Sequence, residues 1–237
     1  MTTMSTFVEP VIHIDNPSSI WNHLDSSEML QFFWIGRQPY LPIWKLQKEL
    51  HSKRVLGEIN DIVLFVEHEH VYTLGKNADM NFLLDSKSHD AEVIQIDRGG
   101  QVTYHGPGQL VCYPIIDLHN YQMSVSWYMR TLENVVIHCI KELGIASKQK
   151  DGLTGVWVDD EKICSMGVRL SKWVTMHGFA LNLSPDMAYF DGIIPCGIFE
   201  YGVTSLNDLE VEYILENIIN SLVNSFDYYL TIGRNEI

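Results

Sequence analysis

The chain has 237 residues, of which 46 % are hydrophobic and 19 % charged, with 16 glycines and 8 prolines. This composition is that of a globular protein, and it excludes collagen-like, low-complexity and disordered classes. Sixteen basic residues against thirty acidic ones give a formal net charge of −14. That balance argues against a nucleic-acid-binding protein, because such proteins present a basic surface to the phosphates.

The sequence also argues against membrane insertion and secretion. No apolar stretch approaches the ~20 residues of a membrane span, and the first seven residues lack the basic and apolar regions of a secretory signal. The four cysteines, Cys112, Cys139, Cys164 and Cys196, form no CxxC pair and are too sparse for a disulfide framework. We therefore expect a cytoplasmic protein with reduced thiols and no membrane contact.

The first half of the chain alternates irregular segments with apolar ones. Residues 1–30 are polar and irregular. Residues 42–56 follow helical spacing after a proline start. Residues 61–66 form a continuous apolar run, typical of a strand that is buried on both faces. Residues 91–96 and 110–118 are predicted to be further buried strands.

The second half carries two amphipathic helices around a block of strands. Residues 124–143 have apolar positions at three- and four-residue spacing, and Gly144 follows as a C-terminal glycine. A second helix is predicted at about residues 208–228, with Thr204 or Ser205 as a nearby cap. Between them we expect three strands, at 156–158, 162–170 and 173–183, joined by turns at 159–161 and 170–172.

This element order favours an α+β (mixed α/β) fold over a doubly wound one. We expect a single domain with a larger mixed sheet, a smaller sheet near the site, and flanking helices.

One segment has an unusual composition. The twelve residues from Arg98 to Gln109 contain four glycines and one proline, together with polar groups such as Thr103, Tyr104 and His105. Glycines allow a ligand to approach the main chain, so a loop of this kind between two strands is a binding-site hypothesis. The alternative is a tight connection whose polar groups bind one another. The glycine spacing matches neither GxGxxG nor the Walker loop, so it does not indicate a phosphate site.

Cys196 is the best candidate nucleophile among the cysteines, since it lies in a loop between Pro195 and Gly197. Cys112 and Cys139 fall at apolar positions where small buried thiols belong. A catalytic thiol must ionise, and a nearby cation lowers its pKa. Lys162, at the start of a predicted strand, is one candidate cation. Its local surroundings equally suit an exposed turn lysine.

Two histidine patterns were weighed. His177 is a possible general base or a buried, hydrogen-bonded ring. His68 and His70 flank Glu69 as an HxH pattern, but no third ligand follows at a suitable spacing, so we expect no metal site.

Taken together, six segments resemble the lipoyl(octanoyl) transferases, the N-octanoyltransferases of lipoate biosynthesis. They agree with that family in order and approximate spacing over about residues 60–200, and they are residues 67–75, 98–109, 155–158, 162–169, 177–182 and 194–197. His70 stands where the family usually has proline. The resemblance implies a biotin/lipoate ligase-like fold, with residues 36–237 as the octanoyltransferase catalytic domain. Residues 1–35 would be an N-terminal extension of unknown role.

The resemblance also implies site residues. Cys196 would be the nucleophile that carries the acyl group as a thioester, and Lys162 would lower its pKa and relay protons. The substrate-binding residues would be Arg98, Gly99, Gly100, Gln101, Val102, Thr103, Tyr104, His105, Ser165, Met166, Gly167, Gly178, Phe179 and Ala180.

The implied reaction is the first step of endogenous protein lipoylation. An octanoyl group would pass from octanoyl-acyl carrier protein to a lysine of apo lipoyl domains, in 2-oxoacid dehydrogenases and the glycine-cleavage H protein. No cofactor of the enzyme itself is expected, because phosphopantetheine enters on the carrier protein. We expect the enzyme to act as a monomer.

Three other functions stay open at this point. An ATP-dependent lipoate- or biotin-protein ligase would share the fold but need no cysteine nucleophile. A cysteine hydrolase would use Cys196 with His177 or His105, and water would take the acyl group. A third possibility is a carrier-binding module without activity.

The charge of the chain leads to one further expectation. Carrier proteins and lipoyl domains are usually acidic, as this chain is, so we expect a local positive rim around the site that attracts them. It would be formed by Lys76, Arg98, Arg169 and Lys172.

Overall fold

The computed structural model describes residues 11–194 and 201–235, which form strands and helices in an α+β arrangement. The strands are β1 (Ile12–His13), β2 (Leu30–Gln38), β3 (Asp61–His68), β4 (Val71–Leu74), β5 (Glu92–Gln95), β6 (Val102–His105), β7 (Gln109–Ile115), β8 (Lys148–Lys150), β9 (Leu153–Val158), β10 (Glu161–Ser171), β11 (Val174–Asn182) and β12 (Gly202–Val203). The helices are α1 (Tyr40–Val55), α2 (Val125–Glu142) and α3 (Leu215–Asn235).

Two sheets organise the fold. The larger runs in the order β1-β2-β3-β7-β11-β10-β9-β8, with β12 paired to β10. It is mixed, since β1, β2 and β3 are parallel neighbours and β12 is parallel to β10, whereas β7, β8, β9, β10 and β11 pair antiparallel. The smaller sheet has the order β5-β4-β6. The prediction of an α+β domain with a larger and a smaller sheet is confirmed.

Helices cover both faces of the larger sheet. On one face α2 and α3 pack with strand residues such as Cys112 and Phe179. On the other face α1 packs with residues such as Val111 and Ala180. Ser124 caps α2 by accepting a hydrogen bond from the Trp127 amide, so the predicted helix and its start are confirmed. Across the described ranges, no helix is long and apolar enough to span a membrane.

The predicted C-terminal helix begins later than expected. α3 starts at Leu215 rather than near residue 208, and neither Thr204 nor Ser205 caps it. The amides of Leu206 and Asn207 donate to Asn182 and Leu183, which ties this segment to the end of β11. The turn at residues 206–210 ends at Glu210, whose φ of 57° cannot continue a right-handed helix.

β1 and the first part of β2 belong to the larger sheet, although the predicted division places residues 1–35 in an N-terminal extension. A division between residues 35 and 36 falls inside β2, whose residues from Leu30 onward pair with β3. β1 in turn pairs with β2. Phe33 and Ile35 are fully buried against α1, so β2 cannot belong to a separate extension.

Three details of the strand predictions also change. Residues 102–105, predicted as part of a glycine-rich loop, form β6 and pair with β4. β5 is an exposed edge strand of the smaller sheet rather than a buried one. Trp173 belongs to the turn after β10, where both it and Lys172 have positive φ angles of 61° and 53°.

Candidate active site

A cavity lies between the larger sheet and the glycine-rich segment. Its floor has small residues facing one another across two strands, with Ser165 opposite Ala180 and Gly167 opposite Gly178. The two glycines carry no side chain, so a ligand can approach the strand backbone closely there. The lining residues are Tyr40, Arg98, Gly100, Gln101, Val102, Thr103, His105, Val111, Tyr113, Ser165, Met166, Gly167, His177, Gly178, Phe179 and Ala180.

The cavity brings together the three segments that the resemblance assigned to substrate binding. Of the predicted substrate-binding residues, only Gly99 and Tyr104 do not line it. The Gly99 amide donates to the carbonyl of Val168 and so joins the loop to β10. Tyr104 is buried in the core of the smaller sheet, where its hydroxyl hydrogen-bonds His70. The remaining predicted substrate-binding residues form one wall and the floor of this cavity.

Arg98 holds the glycine-rich segment to the smaller sheet. Its Nη2 donates to the carbonyl oxygen of Thr73 at 2.8 Å and to the Thr73 hydroxyl at 3.0 Å, and its Nη1 donates to the Gly99 carbonyl at 2.9 Å. The guanidinium is buried, so these bonds are made away from water. Arg98 therefore fixes the loop as well as lining the cavity.

Neutral histidines and tyrosines surround the inner part of the cavity. His68 donates from Nδ1 to the Gln38 carbonyl, and its Nε2 accepts from the Tyr113 hydroxyl at 2.8 Å. Burial lowers the pKa of His68 to about 4 and that of His105 to about 3. Both rings are therefore uncharged near pH 7.

The polar groups of the glycine-rich segment also bind one another. His105 Nδ1 lies 2.7 Å from Gln109 Oε1, and the Gln109 amide donates to Asn182. The segment therefore contains a network of polar groups that bind one another, and it also borders the cavity.

Asp97 accepts three hydrogen bonds behind His177, which lines the cavity. It accepts from His177 Nε2 at 2.9 Å, from Arg169 Nη1 at 2.6 Å and from Trp44 Nε1 at 3.2 Å. These contacts, that from His177 first, lower the pKa of Asp97 to about 2. Burial lowers the pKa of His177. The ionised carboxylate thus faces a neutral ring whose Nε2 carries the proton.

Lys162 is buried rather than exposed in a turn. It is 4 % solvent-exposed, and its ammonium lies 4.7 Å from the centre of the Trp157 ring. Gly155 gives the lysine room, because a Cβ there would come within 3.3 Å of Lys162 Cε. Lys162 does not line the cavity and lies three residues before Ser165 on β10.

The described cysteines are poor nucleophiles. Cys112, Cys139 and Cys164 are free and buried, and burial raises the pKa of each. Cys196, the predicted nucleophile, lies outside the described residues. On either side of it, Ile194 donates its amide to Phe82, and Val203 pairs with Lys162.

The predicted positive rim is only partly present. Lys76 and Lys172 are exposed. Arg98 is buried, so it does not belong to a rim, because its guanidinium binds Thr73 instead of facing solvent. Arg169 is half-exposed and its charge is paired with Asp97.

The two histidines of the HxH pattern, His68 and His70, contact different groups. His68 belongs to the tyrosine network, and His70 stacks on Tyr189 with ring centres 4.3 Å apart. Among residues 11–194 and 201–235, no three His, Cys, Asp or Glu side chains are grouped to hold a metal ion.

Several cavity residues were not predicted. Tyr40, Val111 and Tyr113 lie on elements that the patterns predicted only for their burial. His177 was predicted to be a general base or a buried, hydrogen-bonded ring but not a cavity residue, and Asp97 was overlooked although it directly precedes Arg98. Its position beside the glycine-rich segment was the available signal.

Comparisons with known proteins agree with this geometry. The family model for the lipoyl protein ligase A/B catalytic domain matches residues 39–227. The octanoyltransferase of Flavobacterium johnsoniae is 44 % identical over 83 % of this chain and 94 % of its own length. That of Caldanaerobacter subterraneus subsp. tengcongensis is 39 % identical over 86 % and 91 %.

Solved structures establish the fold. The bi-partite lipoate protein ligase of Thermoplasma acidophilum, described with its E2 lipoyl domain, has a TM-score of 0.65 at 16 % identity, covering 88 % of this chain and 85 % of that chain. The biotin protein ligase of Aquifex aeolicus has a TM-score of 0.54 at 13 % identity, covering 88 % and 73 %. The chain therefore belongs to the lipoyl protein ligase A/B catalytic-domain family and, within it, to the octanoyltransferases, which are acyltransferase enzymes.

Proposed function

We propose that this enzyme transfers an octanoyl group from octanoyl-acyl carrier protein, through a thioester on Cys196, to a lysine of an apo lipoyl domain. The observation that carries this proposal is the cavity. It is bordered by the glycine-rich segment and by the two facing strands β10 and β11, which are three of the segments that resemble the octanoyltransferases. Its apolar lining, which includes Val111, Met166 and Phe179, suits a medium-length acyl chain.

The chemistry balances without ATP. The Cys196 thiolate attacks the carbonyl carbon of the octanoyl thioester, and the phosphopantetheine thiolate leaves. The neutral amine of the acceptor lysine next attacks the octanoyl-enzyme, the Cys196 thiolate leaves, and the amine loses a proton. Lys162 in its neutral form accepts that proton. Thioester exchange is nearly isoenergetic, and formation of the amide drives the cycle forward.

Two features of the described residues support these roles. The other three cysteines are buried with raised pKa values, which leaves Cys196 as the cysteine suited to form a thiolate. Lys162 is buried beside Trp157, at the end of β10 that continues into the cavity floor.

The acceptors would be the lipoyl domains of 2-oxoacid dehydrogenases and the glycine-cleavage H protein. The relatives named octanoyltransferase and the structural neighbour described with its E2 lipoyl domain support this choice. The enzyme would act as a monomer, with no cofactor other than the phosphopantetheine of its donor.

The deciding experiment measures the intact mass of the protein after incubation with octanoyl-carrier protein alone. The wild type and the control variant Cys164→Ser, which removes a buried thiol, should each gain one octanoyl group. Hydroxylamine should remove that group, because it is held as a thioester. Cys196→Ser should form no such thioester. Lys162→Ala should form the adduct at least ~100-fold more slowly. Addition of an apo lipoyl domain should then move the group to a lysine.

The other functions give different outcomes in the same experiment. Free octanoate in place of an octanoylated lipoyl domain would indicate a hydrolase. Octanoylation from free octanoate that requires ATP would indicate a ligase. Either result would contradict the proposed transfer.

A further inference from the structure

One end of the cavity is closed by a rigid histidine. His177 lines the cavity and is 1 % solvent-exposed. Asp97 holds its ring at Nε2, and the Gln47 side chain accepts a hydrogen bond from its backbone amide at 3.1 Å. Asp97 is in turn fixed by Arg169 and Trp44, so the ring cannot turn aside without breaking a network.

The ring also presents an unpartnered polar edge. His177 Nδ1 is buried and has no hydrogen-bond partner among the described residues. Since Nε2 carries the proton toward Asp97, Nδ1 is a bare lone pair. An alkyl group pressed against it would gain no hydrogen bond. A longer acyl chain therefore meets a steric barrier at a ring that offers it no attractive polar contact.

The position of His177 fits the length of an octanoyl chain. Ser165 and Ala180 lie at the cavity end nearest Lys162, and His177 pairs with Val168, three residues further along β10. A strand rises about 3.3 Å per residue, so these two ends are roughly 10 Å apart. An extended octanoyl chain, at about 1.25 Å per carbon–carbon bond, is roughly 9 Å long. With its carbonyl near Ser165, its methyl end reaches His177.

We propose that His177, held by Asp97, is the end wall of the acyl cavity and sets the length of the chain that the enzyme transfers. This inference rests on the proposed octanoyl transfer. It assigns His177 a specificity role at the methyl end of the substrate. His177 is far from the bonds that react. It pairs with Val168, and Lys162 lies six residues before Val168 on β10, roughly 20 Å away.

The backbone at His177 makes a clean test possible. Its φ angle is +61°, a conformation that glycine adopts without strain. His177→Gly therefore removes the wall while relieving backbone strain, which offsets the lost hydrogen bond to Asp97. We expect kcat/KM with dodecanoyl-carrier protein, relative to octanoyl-carrier protein, to rise at least tenfold in this variant.

The matched control is Glu210→Gly. Glu210 also has a positive φ, of 57°, and lies exposed in the turn before α3. This variant should keep the wild-type ratio of dodecanoyl to octanoyl transfer. A general loosening of the fold by His177→Gly would lower both rates together and leave the ratio unchanged, and an unchanged ratio would overturn the inference.

A measurement on the wild type keeps the test independent of how the variant folds. The ring carbon and proton NMR resonances of His177 should shift in the octanoyl-enzyme relative to the butanoyl-enzyme, whose chain ends short of the ring. Identical resonances in the two forms would overturn the inference even if octanoyl transfer is normal. A wild type that forms no octanoyl-enzyme would instead refute the proposed function, and the assignment of the wall with it.

Discussion

At the scale of single residues, the cavity depends on histidines that stay uncharged. His68, His105 and His177 are all buried, and burial lowers the pKa of each below that of a histidine in an unfolded chain. Unfolding therefore takes up protons at these sites once the pH falls below about 6.5. The free energy of unfolding must therefore decrease as the pH is lowered through that range, because the unfolded state binds more protons than the folded state.

We predict a loss of roughly 3 kcal/mol in the free energy of unfolding between pH 6 and pH 5, at about 1.4 kcal/mol per proton and pH unit. The loss should continue until the pH reaches the folded-state pKa values of about 4 for His68 and about 3 for His105. Denaturant titrations at several pH values measure this slope. His68→Gln should remove about one of the protons taken up on unfolding, and so reduce the slope of the unfolding free energy against pH accordingly. His89→Gln, at an exposed position, should leave it unchanged.

Arg98 gives a second prediction at this scale. A lysine ammonium cannot reach the Thr73 and Gly99 carbonyls together as the guanidinium fork does. Arg98→Lys should therefore lower the free energy of unfolding by about 2 kcal/mol. It should also raise the KM for octanoyl-carrier protein about tenfold or more, because the cavity wall loses its anchor.

The control for this prediction is Arg37→Lys. Arg37 pairs with Glu67 at the surface, where an ion pair contributes at most about 1 kcal/mol. Arg98→Lys with wild-type stability and KM would mean that the guanidinium does not hold the loop.

Local sequence could identify Arg98 and its glycine-rich neighbours, because their composition is unusual. It could not identify the contact between Asp97 and His177, which are separated by 80 residues. Nor could it show that Lys162 is buried, because its burial depends on Trp157 from the neighbouring strand and on the missing side chain at Gly155.

At the scale of elements, long and strongly patterned segments were predictable. The continuous apolar run of β3 and the three- and four-residue spacing of apolar residues in α2 predict directly which residues are buried. β2 was not predicted, although its apolar residues are continuous. Phe33 faces α1 while Phe32 packs toward α2 and α3, so apolar residues cover both faces of the strand. The sequence of β2 therefore lacks a simple alternation of apolar and polar residues. β4 and β6 have only four residues each, and they are strands because they pair with each other.

Close approach of β7 and β11 gives a prediction for Gly178. A Cβ at this position would lie 2.2 Å from the Cys112 carbonyl oxygen and 2.7 Å from Pro114 Cδ. Gly178→Ala must therefore push two central strands apart under the cavity. We expect it to lower the free energy of unfolding by roughly 3 kcal/mol or more, measured by chemical denaturation.

Gly36→Ala is the comparison that isolates the clash. Gly36 has a φ of +70° and nothing within 4 Å of its built Cβ, so only backbone strain of about 1–2 kcal/mol is expected. If Gly178→Ala costs no more than Gly36→Ala, the strands are not held as closely as described.

At the scale of the whole molecule, the net charge of −14 has to be reconciled with acidic protein substrates. Lys76 and Arg169 border a surface depression next to Asp97, and Lys172 is exposed in the turn three residues after Arg169. With Arg169 neutralised by Asp97, the two lysines supply the available positive charge of the predicted rim. Surface charges of this kind act mainly on the rate of encounter.

We therefore predict that the double variant Lys76→Glu, Lys172→Glu lowers kcat/KM with octanoyl-carrier protein about tenfold at low salt, and that this deficit shrinks as salt screens the charges. Transfer from a small octanoyl thioester should be unchanged, since that donor carries no acidic surface. The matched control is Lys141→Glu, Lys148→Glu, which changes the net charge equally. Lys141 lies on α2, across the larger sheet from the cavity, and Lys148 lies on the edge strand β8. Equal losses in the two double variants would show that the carrier protein responds to the total charge of the enzyme, whereas a loss confined to Lys76 and Lys172 would show that these two lysines attract it.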